Sequence, residues 1–334
     1  MRFAFTDDQL AFAEAVRDLL AKECTPEVVR AAWESADGRN PALWSQLAEM
    51  GVVGLLAPES AGCMGLSDVD LVRILAEAGY AGLAEPLADV AAVVVPALRD
   101  HGNSDAAAEL LSRVAAGDAT VGLGLLVDGS VLHAASAEVL LMEADDGLHL
   151  VPTAEVELTP IETVDGARRL SRVLWRPTAA SALAGGPAAA AEARDRAAVA
   201  AAAELCGLAD RMLSITVDYV GERKQFGVPI GSFQAVKHHL ANALLALEFA
   251  KPLVWRAAYS QSMGDPQSSL HASMAKAQAS DAAEAVGAAA LQCHGAIGYT
   301  IECDLHLFLK RAWALARRAG DAASHRRHAA AAIL

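Results

Sequence analysis

The chain has 334 residues, of which 54% are hydrophobic and 20% are charged, so it can bury a substantial core and disorder along its whole length is excluded. Its net charge of −14 provides no overall field that would attract a nucleic acid or an anionic membrane. The five cysteines are scattered, which disfavours a disulfide framework or a structural zinc site and favours a reduced cytoplasm. We therefore expect no metal.

The start of the chain and its longest apolar run both bear on membrane association. The first residues lack the apolar stretch of a signal peptide. The longest apolar run, around residues 90–98, contains Pro96 and is too short to span a bilayer. These features predict a soluble protein without a membrane segment.

The first third of the chain has the periodicity of helices, with acidic residues, glycine and proline at the expected ends. Apolar residues recur at helical spacing over residues 7–20, 41–50, 67–78 and 105–116. A loop rich in glycine and proline separates the second of these stretches from the third. The pattern predicts an N-terminal helical domain over residues 1–118.

From about residue 119 the pattern changes to short β-prone runs separated by Asp-Gly turns. The clearest turn is Asp145-Asp146-Gly147, which lies between two apolar runs. The runs end near Trp175. This pattern predicts a small β-domain of antiparallel hairpins over residues 119–178, inserted between helical parts.

The last part of the chain, residues 179–334, is predicted to be helical again after the linker Gly185-Gly186-Pro187. Long apolar periodicity predicts helices over residues 188–220, 233–262, 268–292 and from 304 towards the end. Four long helices joined by short loops indicate an antiparallel four-helix bundle. The predicted fold class is therefore mainly α with a small inserted β-domain.

Two stretches of the bundle could bind a phosphate-bearing ligand. Residues 219–237 contain a helix end, a glycine-rich turn and the start of the next helix, and Arg223 could donate two hydrogen bonds to a pyrophosphate. Residues 292–305 end a helix with glycines that let a backbone approach a ligand closely. Each stretch alone also fits an ordinary loop between two helices.

Together these stretches resemble the motifs of one family. Glu222 to Gly227 with Phe233-Gln234, and Gln292 to Thr300 with the helix after it, are similar to the two late motifs of the acyl-CoA dehydrogenase flavoproteins. Residues 44–51 and 58–66 are similar to the family's N-terminal signature, so the resemblance covers almost the whole chain. The family fold agrees with the predicted order of helices, strands and bundle.

The resemblance implies that an acyl-CoA is oxidised to the trans-2-enoyl-CoA with FAD as cofactor. A carboxylate removes the α-proton, the β-hydrogen leaves as hydride, and an electron-transfer flavoprotein or a similar acceptor receives the electrons. In the family, the two late motifs contact the adenosine and pyrophosphate of the FAD held by a neighbouring subunit. That role is carried over to Arg223, Gln225, Phe226, Ile230, Phe233, Gln234, Gln292, Cys293, Gly295 and Ala296.

The sequence departs from the family where the catalytic base is expected. The two positions at which family members carry the base correspond to Ala319 and Ala197, and alanine cannot accept a proton. The nearest carboxylates, Asp321 and Asp195, each lie two residues away, which turns a helical side chain by about 200°. No catalytic residue is therefore assigned to this chain.

The predicted β-domain also departs from the family, because it is roughly half the usual length and lacks the stretches that contact the flavin ring. These departures favour the shorter subunit of a heteromeric acyl-CoA dehydrogenase of the actinobacterial type, which acts on a steroid or other bulky acyl-CoA. A longer homologous partner would supply the base in a pair of heterodimers.

Three other hypotheses remain open. The first is a self-sufficient dehydrogenase with a relocated base. The second is a non-catalytic scaffold subunit, and the third is a flavin-dependent oxidase or monooxygenase built on the same fold.

Overall fold

The computed structural model describes residues 4–334. The first three residues of the N-terminal segment, for which no signal peptide is expected, lie outside the described residues. None of the helices within the described range is long and apolar enough to cross a membrane.

Seven α-helices form the N-terminal part from residue 4 onward. Their bounds are α1 (Asp7–Glu23), α2 (Pro26–Glu34), α3 (Pro41–Glu49), α4 (Asp68–Ala81), α5 (Leu87–Asp89), α6 (Val95–His101) and α7 (Asp105–Ala115). The predicted helices are confirmed, and α2, α5 and α6 are additional. The apolar run at residues 90–98 consists of a π-helical turn, Val90–Val94, and the start of α6, and Pro96 is accepted because it lies in the first turn of α6.

The middle part consists of two three-stranded sheets. The strands are β1 (Val121–Gly124), β2 (Val131–Leu132), β3 (Val139–Ala144), β4 (Gly147–Pro152), β5 (Glu157–Ile161) and β6 (Leu170–Leu174). The sheet orders are β1-β3-β4 and β2-β6-β5. The hairpin predicted at Asp145-Asp146 is confirmed, with Ala144 opposite Gly147. The prediction of antiparallel hairpins is wrong for β1, which pairs in parallel with β3 because the intervening β2 joins the other sheet.

The C-terminal part contains five helices and a short hairpin. Their bounds are α8 (Gly186–Glu222), β7 (Lys224–Gln225), β8 (Val228–Pro229), α9 (Gln234–Ser262), α10 (Ser268–His294), α11 (Leu305–Arg317) and α12 (Ala322–Ile333). The last predicted helix is therefore two helices. They are separated because Ala319 and Gly320 have φ angles of 56° and 99°, which an α-helix does not accommodate.

Small residues on α4 and α8 let these two helices pack backbone to backbone. A side chain at Gly79 would lie 2.1 Å from the carbonyl oxygen of Glu204, and one at Gly207 would lie 1.8 Å from that of Ala76. This close packing joins the N-terminal helices and the bundle in one hydrophobic core. The same packing fixes the position of Glu204 along the bundle, next to the loops of the β-domain.

Candidate functional site

The stretch predicted around Arg223 forms a tight hairpin between α8 and α9. Arg223 caps the C-terminus of α8, and its carbonyl oxygen accepts a hydrogen bond of 2.8 Å from the amide of Ile230. Phe226 and Gly227 form the two-residue loop with φ angles of 52° and 84°, the signs required by a type I′ turn. The loop holds the Phe226 side chain 93% exposed.

The hairpin leads directly into the N-terminus of α9. Phe233 is the N-cap residue, and Gln234 begins the helix with its side chain exposed. The Phe226 and Phe233 rings meet edge to face with centroids 6.3 Å apart. The hairpin therefore presents two aromatic rings, the Arg223 guanidinium and the free amides of a helix start on one exposed surface.

The second predicted stretch lies at the C-terminus of α10. Gln292 and Ala296 are exposed, whereas Cys293 is buried. Gly295 caps the helix with a φ of 64° and a ψ of −140°, and no atom lies within 4 Å of where its side chain would begin. The backbone is therefore accessible from the open side at Gly295, as the sequence predicts for a close approach to a ligand.

A stacked aromatic pair brings the two stretches together. The rings of Tyr219 in α8 and His294 in α10 are nearly parallel, at 17°, with centroids 4.4 Å apart. The Tyr219 hydroxyl also donates a hydrogen bond of 3.4 Å to the carbonyl oxygen of His294. Because Tyr219 lies four residues before Arg223 and His294 lies one residue before Gly295, the pair holds both stretches at the same end of the bundle. We call this combined surface, residues 223–234 and 292–296, the motif edge.

The motif edge is surrounded by apolar side chains that a monomer would ordinarily bury. Tyr299 is 78% exposed and Ile301 is 72% exposed. An exposed apolar patch of this kind marks a protein or ligand interface.

Of the two positions at which the resemblance places the base, one lines a small cavity and the other follows a residue that lines it. Ala197 lines a cavity of about 20 Å³, and so does Arg318, the residue before Ala319. This volume has room for about one water molecule. Ala319 is itself 4% exposed, and its amide donates a hydrogen bond of 2.7 Å to Asp128.

The two alternative acids lie elsewhere. Asp195 accepts a hydrogen bond of 3.1 Å from Ser269 of α10, and burial raises the pKa of its carboxyl. Asp321 caps α12 by accepting a hydrogen bond of 2.7 Å from the amide of Ser324, which lowers the pKa of its carboxyl. Neither side chain is among those that line the cavity.

Charged side chains from all three parts of the chain close the cavity. We call them the buried charge cluster, and its members are Asp89, Asp128, Asp165, Arg168, Glu204, Arg311 and Arg318. The Arg311 guanidinium pairs with Asp165 and donates a hydrogen bond to the carbonyl oxygen of Leu83. Arg318 pairs with Asp128 and, at 2.8 Å, with Asp89.

Glu204 is the carboxylate of this cluster without a paired guanidinium of its own. Arg311 and Arg318 are already engaged by aspartates. Burial is the main reason that the pKa of Glu204 is raised to about 7; the positive charge of Arg311 opposes this shift and the negative charge of Asp89 supports it. Glu204 therefore holds a proton in the folded chain at pH values where an exposed glutamate is ionised.

The raised pKa predicts a pH-dependent effect of Glu204→Gln. The unfolded chain releases the proton near pH 4.5 and the folded chain near pH 7, so the stability contributed by this proton is full below pH 4.5 and is lost as the pH rises through 7. Glutamine does not titrate. The difference in free energy of unfolding between variant and parent is therefore expected to shift in favour of the variant by about 3 kcal/mol from pH 4.5 to pH 8. Urea unfolding at both pH values measures the gain.

The exposed Glu109 on α7 offers a matched control. Glu109→Gln makes the same substitution at an exposed position and measures the effect of the amide itself at both pH values. A Glu204→Gln difference that stays constant from pH 4.5 to pH 8 would show that Glu204 titrates normally.

Comparison with known families matches both helical parts. The model of the acyl-CoA dehydrogenase N-terminal domain matches residues 6–118, and that of the acyl-CoA dehydrogenase C-terminal domain matches residues 184–334. The acyl-CoA dehydrogenase IpdE2 of Mycolicibacterium smegmatis is 34% identical over 316 residues, which are 94% of this chain and 95% of that protein.

Two further matches are a relative that is longer than this chain and a solved structure. The acyl-CoA dehydrogenase FadE34 of Mycobacterium tuberculosis is 33% identical over an alignment of 333 positions, which covers 92% of this chain and 45% of that protein. A solved structure described as a variant of the steroid ACAD Tcur3481-Tcur3483 is 26% identical, has a TM-score of 0.87 and covers 98% of each chain. Both domain models and the IpdE2 relative identify the family directly: the chain belongs to the acyl-CoA dehydrogenases, which are FAD-dependent oxidoreductases.

Proposed function

We propose that this chain is the shorter subunit of a heteromeric acyl-CoA dehydrogenase, which contacts FAD across the interface with a longer partner. The observation that carries the proposal is a contrast within one chain. The motif edge is open and exposed, whereas one base position, Ala197, borders a cavity with room for about one water molecule, and the other, Ala319, is buried next to Arg318, which lines the same cavity.

The donor set at the motif edge fits the phosphate and adenosine end of FAD. Arg223 is exposed and its guanidinium can bond a pyrophosphate at two points. The Phe226 and Phe233 rings offer apolar faces on which an adenine can pack, and the open backbone at Gly295 admits close approach. The proposed contacts are Arg223, Gln225, Phe226, Ile230, Phe233, Gln234, Gln292, Cys293, Gly295 and Ala296.

The chemistry divides between the two subunits. When bound, the flavin would accept the hydride that leaves the β-carbon of the acyl group. This chain holds and orients the cofactor from the motif edge, and the apolar side chains around that edge exclude water once a partner covers them. The longer partner supplies the carboxylate that removes the α-proton, because a base must lie within hydrogen-bonding reach of that proton.

The buried charge cluster explains why the chain's own base positions are not available. Opening the cavity to an acyl-CoA would separate Arg311 from Asp165 and Arg318 from Asp128, leaving buried charges without partners. Separating one buried pair costs about 3–5 kcal/mol. This cost favours a closed cavity over a second substrate site.

The relatives support a shared active site and a bulky substrate. The structure described as a steroid ACAD carries two components in its name, and the matched component equals this chain in extent to within a few per cent. FadE34 is about twice as long as this chain, and one region of it matches this chain. We propose a steroid-derived or similarly bulky acyl-CoA as the substrate, with an electron-transfer flavoprotein or a similar protein as the acceptor.

Co-expression tests the proposal. The chain is produced alone and with the longer acyl-CoA dehydrogenase encoded beside it, and enoyl-CoA formation is measured on straight-chain and steroid-derived acyl-CoAs. Turnover is expected only in the complex. It is also expected to persist in Asp195→Asn and Asp321→Asn, whereas turnover by the chain alone that either substitution abolishes would establish a self-sufficient enzyme.

A further inference from the structure

A cleft between α1, α4 and α8 lies apart from the motif edge and has no part in the proposed reaction. It has an inner compartment of about 150 Å³ and an outer one of about 300 Å³, which share Arg17, Glu77 and Tyr80 as lining residues. Together the two compartments reach the size of a small-molecule site.

The inner compartment has apolar walls. Leu20 and Ala21 of α1, Pro26 of α2 and Phe308 of α11 line it. Its volume corresponds to about five water molecules. The compartment therefore suits a short aliphatic group.

A guanidinium with free donors faces this apolar space. Arg211 of α8 lies over two rings, with its guanidinium carbon 5.3 Å from the centre of Tyr80 and 5.5 Å from that of Phe308. Stacking uses the faces of the guanidinium and leaves its in-plane N–H groups available. Within residues 4–334, the Arg211 side chain makes no hydrogen bond and no ion pair.

The other charges of the cleft are already paired. Glu77 accepts hydrogen bonds of 2.8 Å and 2.7 Å from Arg17 and lies 3.8 Å from Arg73. Asp210 accepts a hydrogen bond of 3.2 Å from Lys251. The cleft thus carries an excess of positive charge in a chain whose net charge is −14, and Arg211 is its unpaired cation.

We propose that the cleft binds a small carboxylic acid with a short aliphatic body. The carboxylate would accept two parallel hydrogen bonds from Arg211, the geometry in which arginine binds carboxylates best. The aliphatic body would fill the inner compartment beside Leu20 and Phe308. This inference does not depend on the heteromeric assembly, because every residue it uses belongs to this chain.

Titration calorimetry of the chain with hexanoate tests the site. Saturable binding is expected, and Arg211→Gln is expected to weaken it at least tenfold because the bidentate contact is lost. Hexanamide, which has the same shape without the charge, is expected to bind at least tenfold more weakly than hexanoate. Arg256→Gln is the matched control, since Arg256 on α9 pairs with Asp265 away from the cleft.

A second variant keeps the test independent of Arg211. Ala21→Leu extends a side chain into the inner compartment from an exposed turn of α1 and is expected to weaken hexanoate binding while Arg211 is unchanged. The inference is overturned by the absence of saturable hexanoate binding at millimolar concentrations. Equal binding of hexanamide, or affinities unchanged in both Arg211→Gln and Ala21→Leu, would overturn it as well.

Discussion

Replacing Arg223 by alanine is expected to lower the FAD affinity of the assembled complex by about 10- to 100-fold. The guanidinium is the exposed cation at the centre of the motif edge, and a hydrogen bond to a charged group contributes about 1.5–3 kcal/mol. Equilibrium dialysis of the complex against FAD, followed by flavin fluorescence, measures the loss. The thermal midpoint of the FAD-free chain is expected to stay close to that of the parent, because the Arg223 side chain is exposed.

Lys224→Ala provides the matched control for Arg223→Ala. Lys224 is exposed and adjacent, but it lies in β7 rather than at the C-cap of α8 that Arg223 occupies, and it is not among the proposed FAD contacts. FAD affinity within twofold of the parent is expected for this variant. An Arg223→Ala complex that binds FAD as tightly as the parent would place the cofactor elsewhere.

Installing a carboxylate at the vacant base position, by Ala319→Glu, is expected to destabilise the chain without creating activity. Ala319 is buried, has a φ of 56° and donates its amide to Asp128, so a new carboxylate would meet an existing one inside the core. An unpaired buried charge of this kind costs about 3 kcal/mol. Urea unfolding measures the cost, and an acyl-CoA dehydrogenase assay of the chain alone measures activity.

Ala319→Gly separates the effect of the charge from that of the backbone. Glycine accepts a positive φ readily, so this variant is expected to unfold within about 1 kcal/mol of the parent. If the Ala319→Glu chain alone became active, the cavity would be open to substrate and only the base would be missing. That result would favour descent from a self-sufficient enzyme over a subunit whose own substrate cavity is closed.

The helices and the motif residues could be predicted from the sequence because their signals are local. Capping residues such as Thr6, which exchanges hydrogen bonds with Gln9, lie within one turn of the helix they begin. The parallel pairing of β1 with β3 could not be predicted in this way, since it depends on which sheet β2 joins. The break between α11 and α12 was missed because Ala319 carries no local signal for a positive φ.

The candidate site also contains features with local sequence signals and features without them. Arg223 and Gly295 could be found because each lies in a contiguous motif, but the Tyr219–His294 contact that joins the motifs spans 75 residues. The buried charge cluster could not be predicted from sequence patterns, since Arg311 pairs with the carboxylate of Asp165, which is 146 residues away in the sequence. Net charge gave no indication of either feature, because it averages local clusters over the whole chain.

The flavin content of the purified complex tests the shared site most directly. Absorbance of released FAD is compared with the molar amounts of both chains in the complex and with this chain purified alone. We expect one FAD for each pair of one short and one long chain, and none retained by the short chain alone. One FAD on every chain of the complex, or a yellow and active assembly of this chain by itself, would contradict the proposal.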